Sequence, residues 1–259
     1  MMSSIWSDIK DNYQSAWAFA LACPILFLIP PFVEFVQHII EINIGMYVSG
    51  EAAKAVANNP DRLNYGFVKV LALLLPGYWF VRYIIYGRDS NAARRVEWPA
   101  IGLWFCVFAY QVLVQYWQMF GSSIGELAGF SDQYAMTVAL LFFLILSIIG
   151  IYLTAFFVAL PLGNTSLGPV LSFYIMKGHF WRTIIYMLSA TLPFMAVHYA
   201  LGYGAMGKPI WLVWIIMTID ALVVGFLALL PVGATAIAAR YAAQERSISL
   251  LRTGPAVSI

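Results

Sequence analysis

Charged residues are scarce in this sequence. Of its 259 residues, 10% are Asp, Glu, Lys or Arg and 62% are hydrophobic, whereas an average soluble domain carries about 25% charged residues. So few charged side chains cannot cover the surface of a soluble globule of this length. The composition therefore excludes a soluble catalytic domain and indicates a protein whose surface mostly faces lipid.

Cofactor and nucleic-acid motifs are also missing. The two cysteines, Cys23 and Cys106, lie inside apolar segments, which favours packing roles over redox or metal chemistry. The basic residues are scattered, without a run typical of a nucleic-acid-binding patch, and the net charge is only +2. We therefore expect no cofactor, no metal centre and no nucleic-acid partner.

Long apolar segments dominate what the sequence does contain. A transmembrane helix requires about 20 apolar residues. Six segments meet that length: 16–36, 66–86, 99–120, 134–160, 183–203 and 210–233. The predicted fold class is all-α, a polytopic integral membrane helical bundle with six transmembrane helices in one domain over residues 1–259. Pro24, Pro30 and Pro31 interrupt the first segment and predict a kink or an early end.

The distribution of Lys and Arg predicts the orientation of the spans. When the loops alternate between the two sides, ten basic residues fall on one side and four on the other. The larger set is Lys10, Arg82, Arg88, Arg94, Arg95, Lys177, Arg182, Arg240, Arg246 and Arg252, and the smaller set is Lys54, Arg62, Lys69 and Lys208. Because cytoplasmic loops carry the excess of Lys and Arg, we expect both termini in the cytoplasm.

A polar stripe follows Pro31. Glu34, Gln37, His38 and Glu41 are spaced by 3, 1 and 3 residues, which places them on one face of a helix whose other sides are apolar. One interpretation is a helix at the outer interface with this stripe in water. The other is that the stripe docks on another subunit or on the 51–65 loop of the chain itself.

An intramembrane polar cluster is the most informative feature. Asp220 lies about ten residues into the last span, where an ionised carboxylate costs several kcal/mol unless it is paired. Gln111, Gln115 and Gln118 share one face of the third span, and Gln111 is the predicted partner of Asp220. With His198 they would line an outward-opening cavity. The alternatives are a hydrogen bond that fixes packing, a solute, proton or lipid pathway, and a partner interface.

Basic and aromatic residues gather at the predicted cytoplasmic ends of the spans. We expect these residues to contact lipid headgroups: Arg82, Lys177, His179, Trp181, Arg182 and Arg240.

The segment Gly121–Gly125 matches the G-x-S-x-G pattern of serine hydrolases, with Ser123 as the nucleophile. That motif requires a strand that leads into a helix. Here a membrane helix ends in a short glycine-rich loop, so a hydrolase is a disfavoured alternative.

Two stretches carry a resemblance to a known family. One is Phe-Phe-Val-Ala-Leu-Pro-Leu-Gly at 156–163, followed by Ser172, Lys177-Gly178 and Phe180-Trp181-Arg182; the other is Ala-Thr-Ala-Ile-Ala-Ala-Arg-Tyr at 234–241. They resemble the bacterial YciC-like group of inner-membrane proteins, which is similar to the membrane anchor of some glycerophosphodiester phosphodiesterases. The resemblance implies six helices and a bacterial inner (plasma) membrane, and it supplies no catalytic residues.

These observations favour a non-enzymatic integral membrane protein. We expect an accessory, scaffold or lipid-associated subunit of a membrane complex, with membrane lipids and a protein in the membrane as its partners. The alternative is a small-solute or proton-coupled transporter with a polar cavity around Gln111 and Asp220.

Overall fold

The computed structural model describes residues 4–251, apart from the side chain of Asp132; Arg252, counted above, lies outside this range. Every regular element in this part of the chain is a helix, which confirms the all-α prediction. The helices are α1 (Ile5–Ala22), α2 (Pro24–Asn43), α3 (Gly50–Val56), α4 (Pro60–Leu74), α5 (Gly77–Ile85), α6 (Ser90–Arg94), α7 (Trp98–Phe120), α8 (Ile124–Leu127), α9 (Asp132–Tyr152), α10 (Thr154–Ala159), α11 (Pro169–Met176), α12 (Phe180–Ala205) and α13 (Ile210–Glu245), and a 3-10 turn, Leu160–Leu162, follows α10.

Six helical segments of the described residues are long and apolar enough to cross a membrane. They are Pro24–Asn43, Pro60–Ile85, Trp98–Phe120, Gln133–Tyr152, Phe180–Ala205 and Ile210–Glu245. The chain is therefore a multi-pass membrane protein built as a helical bundle.

The predicted range of the first span, 16–36, falls across two helices. Helix α1 ends at Ala22, and α2 begins at Pro24, where a proline fits because the first helical residue needs no hydrogen-bonded N–H. Pro30 and Pro31 lie inside α2, which continues to Asn43. These two prolines therefore do not end the span early.

The chain forms two compact units. Unit 1 comprises Met1–Arg94 and Ile185–Ala234, and unit 2 comprises Arg95–Ile184 and Thr235–Ile259. Unit 1 thus contains α1 to α6 with the larger parts of α12 and α13, and unit 2 contains α7 to α11 with the remaining turns of those two helices.

Within unit 1, α1 packs on α12 and α13 through polar and aromatic contacts. The Asn12 amide donates to the carbonyl oxygen of Leu230 at 2.9 Å, and the Tyr13 hydroxyl donates to the carbonyl oxygen of Ser189 at 2.6 Å. The ring of Trp17 stacks on Phe226, with 5.9 Å between the ring centroids. These contacts fix α1 to helices that come much later in the chain.

Gly233 permits the close approach of α1 to α13. A Cβ atom at this position would lie 2.1 Å from Oδ1 of Asn12 and 2.8 Å from the Phe80 ring. Such distances are far inside van der Waals contact, so any side chain at residue 233 would displace the Asn12 amide, which holds α1 to Leu230, or the Phe80 ring.

Candidate functional site

The polar stripe of α2 faces the interior of unit 1. Only 1% of Glu34 and 5% of Gln37 is exposed, and His38 and Glu41 are equally buried. The interpretation that places the stripe in water is therefore wrong. Buried carboxylates require partners, since an isolated buried charge is costly.

Helix α4 supplies cations for both stripe carboxylates. The ammonium group of Lys69 lies 2.7 Å from Oε2 of Glu34, and Nε of Arg62 lies 3.0 Å from Oε1 of Glu41. Arg62 belongs to the 51–65 segment, so this part of the chain docks on the stripe, as one of the two hypotheses proposed.

His38 lies between three carboxylates. Its Nδ1 atom is 3.0 Å from Oε2 of Glu41. Its Nε2 atom is 3.1 Å from Oδ2 of Asp220 and 3.4 Å from Oε1 of Glu34. One imidazole thereby joins the stripe of α2 to the carboxylate of α13.

Tyr47 completes this network from the turn after α2. Gly45 has φ = 80°, a conformation that glycine adopts without strain, and the chain turns back there. The Tyr47 hydroxyl donates to Oε2 of Glu41 at 2.7 Å. Burial, together with the negative charge of Glu41, raises the pKa of Tyr47 well above its usual range, so this phenol stays a neutral donor.

Asp220 is buried and satisfied by histidines. Its Oδ1 atom lies 2.8 Å from Nδ1 of His198, and its Oδ2 atom lies 3.1 Å from Nε2 of His38. The sequence prediction paired Asp220 with Gln111 instead. Two histidines of unit 1 take that place, because α2 and α12 carry them to the level of Asp220.

The glutamines of the third span belong to α7 in unit 2. Their side chains are exposed or half-buried in the structure: Gln111, Gln115 and Gln118. Of the predicted intramembrane cluster, the structure therefore brings together His198 and Asp220 and adds the stripe of α2, which the sequence analysis treated as a separate feature.

A cavity of about 430 Å³ adjoins this network. Its wall contains the stripe, the two α4 cations, His198 and Asp220, and further residues complete it: Met46, Tyr47, Gly50, Ala53, Lys54, Ala57, Tyr199, Gly202, Tyr203 and Met206. All of these residues belong to unit 1. We call this space, with its charged wall, the polar cavity.

Gln37 contributes an acceptor to the polar cavity that the protein leaves unused. Its Nε2 atom donates to Oε1 of Glu41 at 3.3 Å, while its buried Oε1 atom accepts no hydrogen bond from the described residues. Buried polar atoms are almost always satisfied in folded proteins. An acceptor of this kind therefore points to a bound donor, such as a water molecule or a solute, in the cavity.

Formal charges in the wall of the polar cavity balance among the fixed ions. Three carboxylates, Glu34, Glu41 and Asp220, share the wall with three cations, Lys54, Arg62 and Lys69. With both histidines neutral, the formal charges of the wall sum to zero.

The predicted headgroup residues have different environments. Arg82 is wholly buried, donates to the carbonyl oxygens of Ala92 and Ala93 at 3.0 and 3.2 Å, and so does not reach headgroups. Its guanidinium instead holds the segment around α6 within unit 1.

In unit 2, only part of the predicted headgroup set is exposed. Lys177 is exposed, as is 72% of Trp181, whereas His179 is buried and lies 3.1 Å from Oε2 of Glu245. Arg182 stacks over the ring of Tyr241, and Arg240 is half-buried. Lys177 and Trp181 remain available for headgroup contact, and the prediction for His179 is wrong because its imidazole is buried beside Glu245.

Ser123 has a structural role. Its hydroxyl accepts a hydrogen bond from the Glu126 backbone N–H at 3.2 Å, and the Glu126 side chain accepts from the Ser123 N–H, which makes a capping box at the start of α8. The preceding element is the helix α7, so the segment lacks the strand that a nucleophile elbow requires.

No protein-family model, no curated protein and no solved structure matches this chain. The resemblance to the YciC-like group stays a prediction.

Proposed function

We propose that this chain is a membrane carrier that binds a small polar solute in the polar cavity. The observation that carries the proposal is the buried network of carboxylates, histidines and cations that opens on a space of about 430 Å³. Ionisable residues in membrane spans are costly and commonly mark substrate or ion pathways. A bundle that only had to pack would be as stable with apolar residues in these places.

The dimensions and chemistry of the polar cavity fit a small solute. Ligand cavities of about 300–1,000 Å³ are typical for small molecules. The wall of the polar cavity holds carboxylates, cations, the unused Gln37 acceptor and the rings of Tyr199 and Tyr203. Such a wall suits a polar solute that bears a hydrogen-bond donor.

The location is also part of the proposal. The bias of Lys and Arg toward one side and the YciC-like resemblance support a bacterial inner membrane with both termini in the cytoplasm. A non-enzymatic accessory subunit, bound to membrane lipids and to another membrane protein, stays a prediction. The accessory role is less favoured because it does not require a buried polar cavity.

Gly202 offers a test of the carrier proposal. It lines the cavity, and a Cβ atom there would meet nothing within 4 Å, so Gly202→Cys should fold. The native cysteines, Cys23 and Cys106, are first replaced. If the cavity opens alternately to the two sides of the membrane, the thiol at position 202 should react with an impermeant reagent added to either face, with each face tested in a separate experiment. Labelling from one face only would show a static pocket and would overturn the proposal.

Gly204→Cys is the matched control for this experiment. Gly204 lies on the same helix with equal room for a side chain, and it does not line the cavity. We expect its thiol to react from the outer face alone.

A further inference from the structure

Three side chains of the polar cavity have the arrangement of metal ligands. Glu34, His198 and Asp220 each offer one ligand atom, and these atoms all lie within 4.8 Å of one another. Nδ1 of His198 lies 2.8 Å from Oδ1 of Asp220. The residues come from α2, α12 and α13, so three helices of unit 1 direct donors toward one point.

The spacing suits a first-row divalent ion. Bonds of about 2.0–2.2 Å from zinc to imidazole nitrogen or carboxylate oxygen place the ligand atoms roughly 3–4 Å apart. The three donors need only a small adjustment to reach that geometry. A set of three protein ligands also leaves coordination positions open, here toward the cavity.

Neighbouring side chains orient the two carboxylate ligands. His38 lies 3.1 Å from Asp220 and 3.4 Å from Glu34, and Lys69 also holds Glu34. Partners of this kind fix the direction of metal ligands, and their loss commonly lowers metal affinity about 10–100-fold. His38 and Lys69 therefore restrain both carboxylates of the triad.

One further observation points to an ion at this place. The unused Oε1 atom of Gln37, a residue only 5% exposed, lies in the wall of the same cavity. It can accept a hydrogen bond from water bound to the ion.

We propose that Glu34, His198 and Asp220 bind one divalent transition-metal ion. One imidazole and two carboxylates suit Zn²⁺, Mn²⁺ or Fe²⁺, and the lack of thiolate or thioether donors in this triad disfavours Cu⁺. The inference goes beyond the carrier proposal and does not depend on it, because the ion can be a resident ligand or the carried solute.

Metal titration of the purified chain tests the inference. After chelator treatment and removal of the chelator, the protein in mild detergent should bind one Zn²⁺ per chain in calorimetry, and Co²⁺ should give the visible absorption of a protein-bound ion. His198→Gln should raise the Kd for Zn²⁺ by more than the roughly 100-fold that loss of an outer partner causes. Glu34→Gln should act in the same direction.

The controls separate metal binding from folding and from transport. His179→Gln and Glu51→Gln remove a buried histidine and an exposed carboxylate elsewhere, so both should keep the parental Kd. Circular dichroism of His198→Gln verifies that its helices persist. No Zn²⁺ or Co²⁺ binding by the parent, or an equal Kd in folded His198→Gln, would overturn the inference. If the Gly202→Cys thiol is labelled from both faces of the membrane and the parent binds no metal, the carrier proposal is supported and the metal-site proposal is refuted.

Discussion

Lys69 and Glu34, 35 residues apart, form an ion pair of 2.7 Å in which the carboxylate is 1% exposed. Removal of one member of a buried pair leaves an uncompensated charge and costs about 3–5 kcal/mol. We expect Lys69→Glu to lower the melting temperature in detergent strongly. The exchange Glu34→Lys with Lys69→Glu should recover much of that loss because the pair is restored.

The comparison variant for the charge exchange is Glu51→Lys. Glu51 is exposed in the first turn of α3, and surface charges contribute little to stability. Its melting temperature should equal that of the parent. A Lys69→Glu variant that melts like Glu51→Lys would contradict a closed ion pair.

Asp220 is expected to tolerate an amide better than an alkyl group. Asp220→Asn retains an acceptor and a donor between His38 and His198, whereas Asp220→Leu leaves both imidazoles without this partner. Hydrogen bonds within membranes contribute about 0.6–2 kcal/mol each, so Asp220→Leu should melt clearly below Asp220→Asn. Thr218→Val, on an exposed side chain of the same helix, serves as the control. Equal melting of the two Asp220 variants would show that these hydrogen bonds do not stabilise the fold.

Gly233→Ala should destabilise unit 1, since the added methyl group would overlap the amide of Asn12. Overpacking typically costs about 1–3 kcal/mol. Gly150→Ala is the matched substitution: it lies in α9, and an added Cβ meets nothing within 4 Å, so it should be neutral or stabilising. Thermal unfolding of both variants measures the difference, and a Gly233→Ala protein as stable as Gly150→Ala would mean that α1 is not tightly docked.

Thiol labelling tests the predicted orientation. In a variant without native cysteines, Asn58→Cys or Ser131→Cys should react with an impermeant reagent in intact cells, whereas Ser90→Cys or Ser247→Cys should react only after lysis. Three of these positions, Asn58, Ser131 and Ser247, are exposed, and Ser90 is half-buried. The opposite pattern would reverse the sidedness inferred from the Lys and Arg distribution.

His179 makes the stability of the protein depend on pH. Burial lowers the pKa of His179, and Arg246 and Arg182 add to this effect, while Glu245 opposes it. The unfolded imidazole takes up a proton below about pH 6.5 more readily than the folded one. The contribution of the neutral His179 imidazole to the free energy of unfolding is therefore complete above about pH 6.5, and it decreases as the pH falls below that value.

A comparison of melting temperatures at neutral and mildly acidic pH measures this dependence. His179→Gln should lose less stability on acidification than the parent, whereas Lys177→Gln, at an exposed neighbouring position, should behave like the parent. The same acid sensitivity in His179→Gln would show that other groups cause it.

The sequence predicted the spans and the polar stripe because both depend on local periodicity. Hydropathy over about 20 residues identifies a membrane helix, and the 3–1–3 spacing places Glu34 to Glu41 on one face. The sequence contains a further signal of the site. Lys69 lies inside the predicted second span, and a cation there requires an anionic partner.

The remaining contacts of the site could not be predicted from periodicity. His38 and Asp220 are 182 residues apart, and no spacing rule relates two helices that meet only in the folded bundle. The prediction of Gln111 as the partner of Asp220 failed for this reason. Hydropathy indicates that both residues lie at a similar depth in the bilayer, but it does not indicate which helices are neighbours. The proposed metal triad could not be predicted from spacing either, since each of its residues comes from a different helix.

The contact between Asn12 and Leu230 imposes an order on biogenesis. The two residues are 218 positions apart, so a ribosome that adds 5–20 residues per second needs roughly 10–40 s between them. During that interval α1 has left the ribosome while its docking surface on α13 does not yet exist. Helix α1 is synthesised before α13, so it reaches its final position only after α13 has emerged, and Asn12 has no access to its Leu230 partner until then.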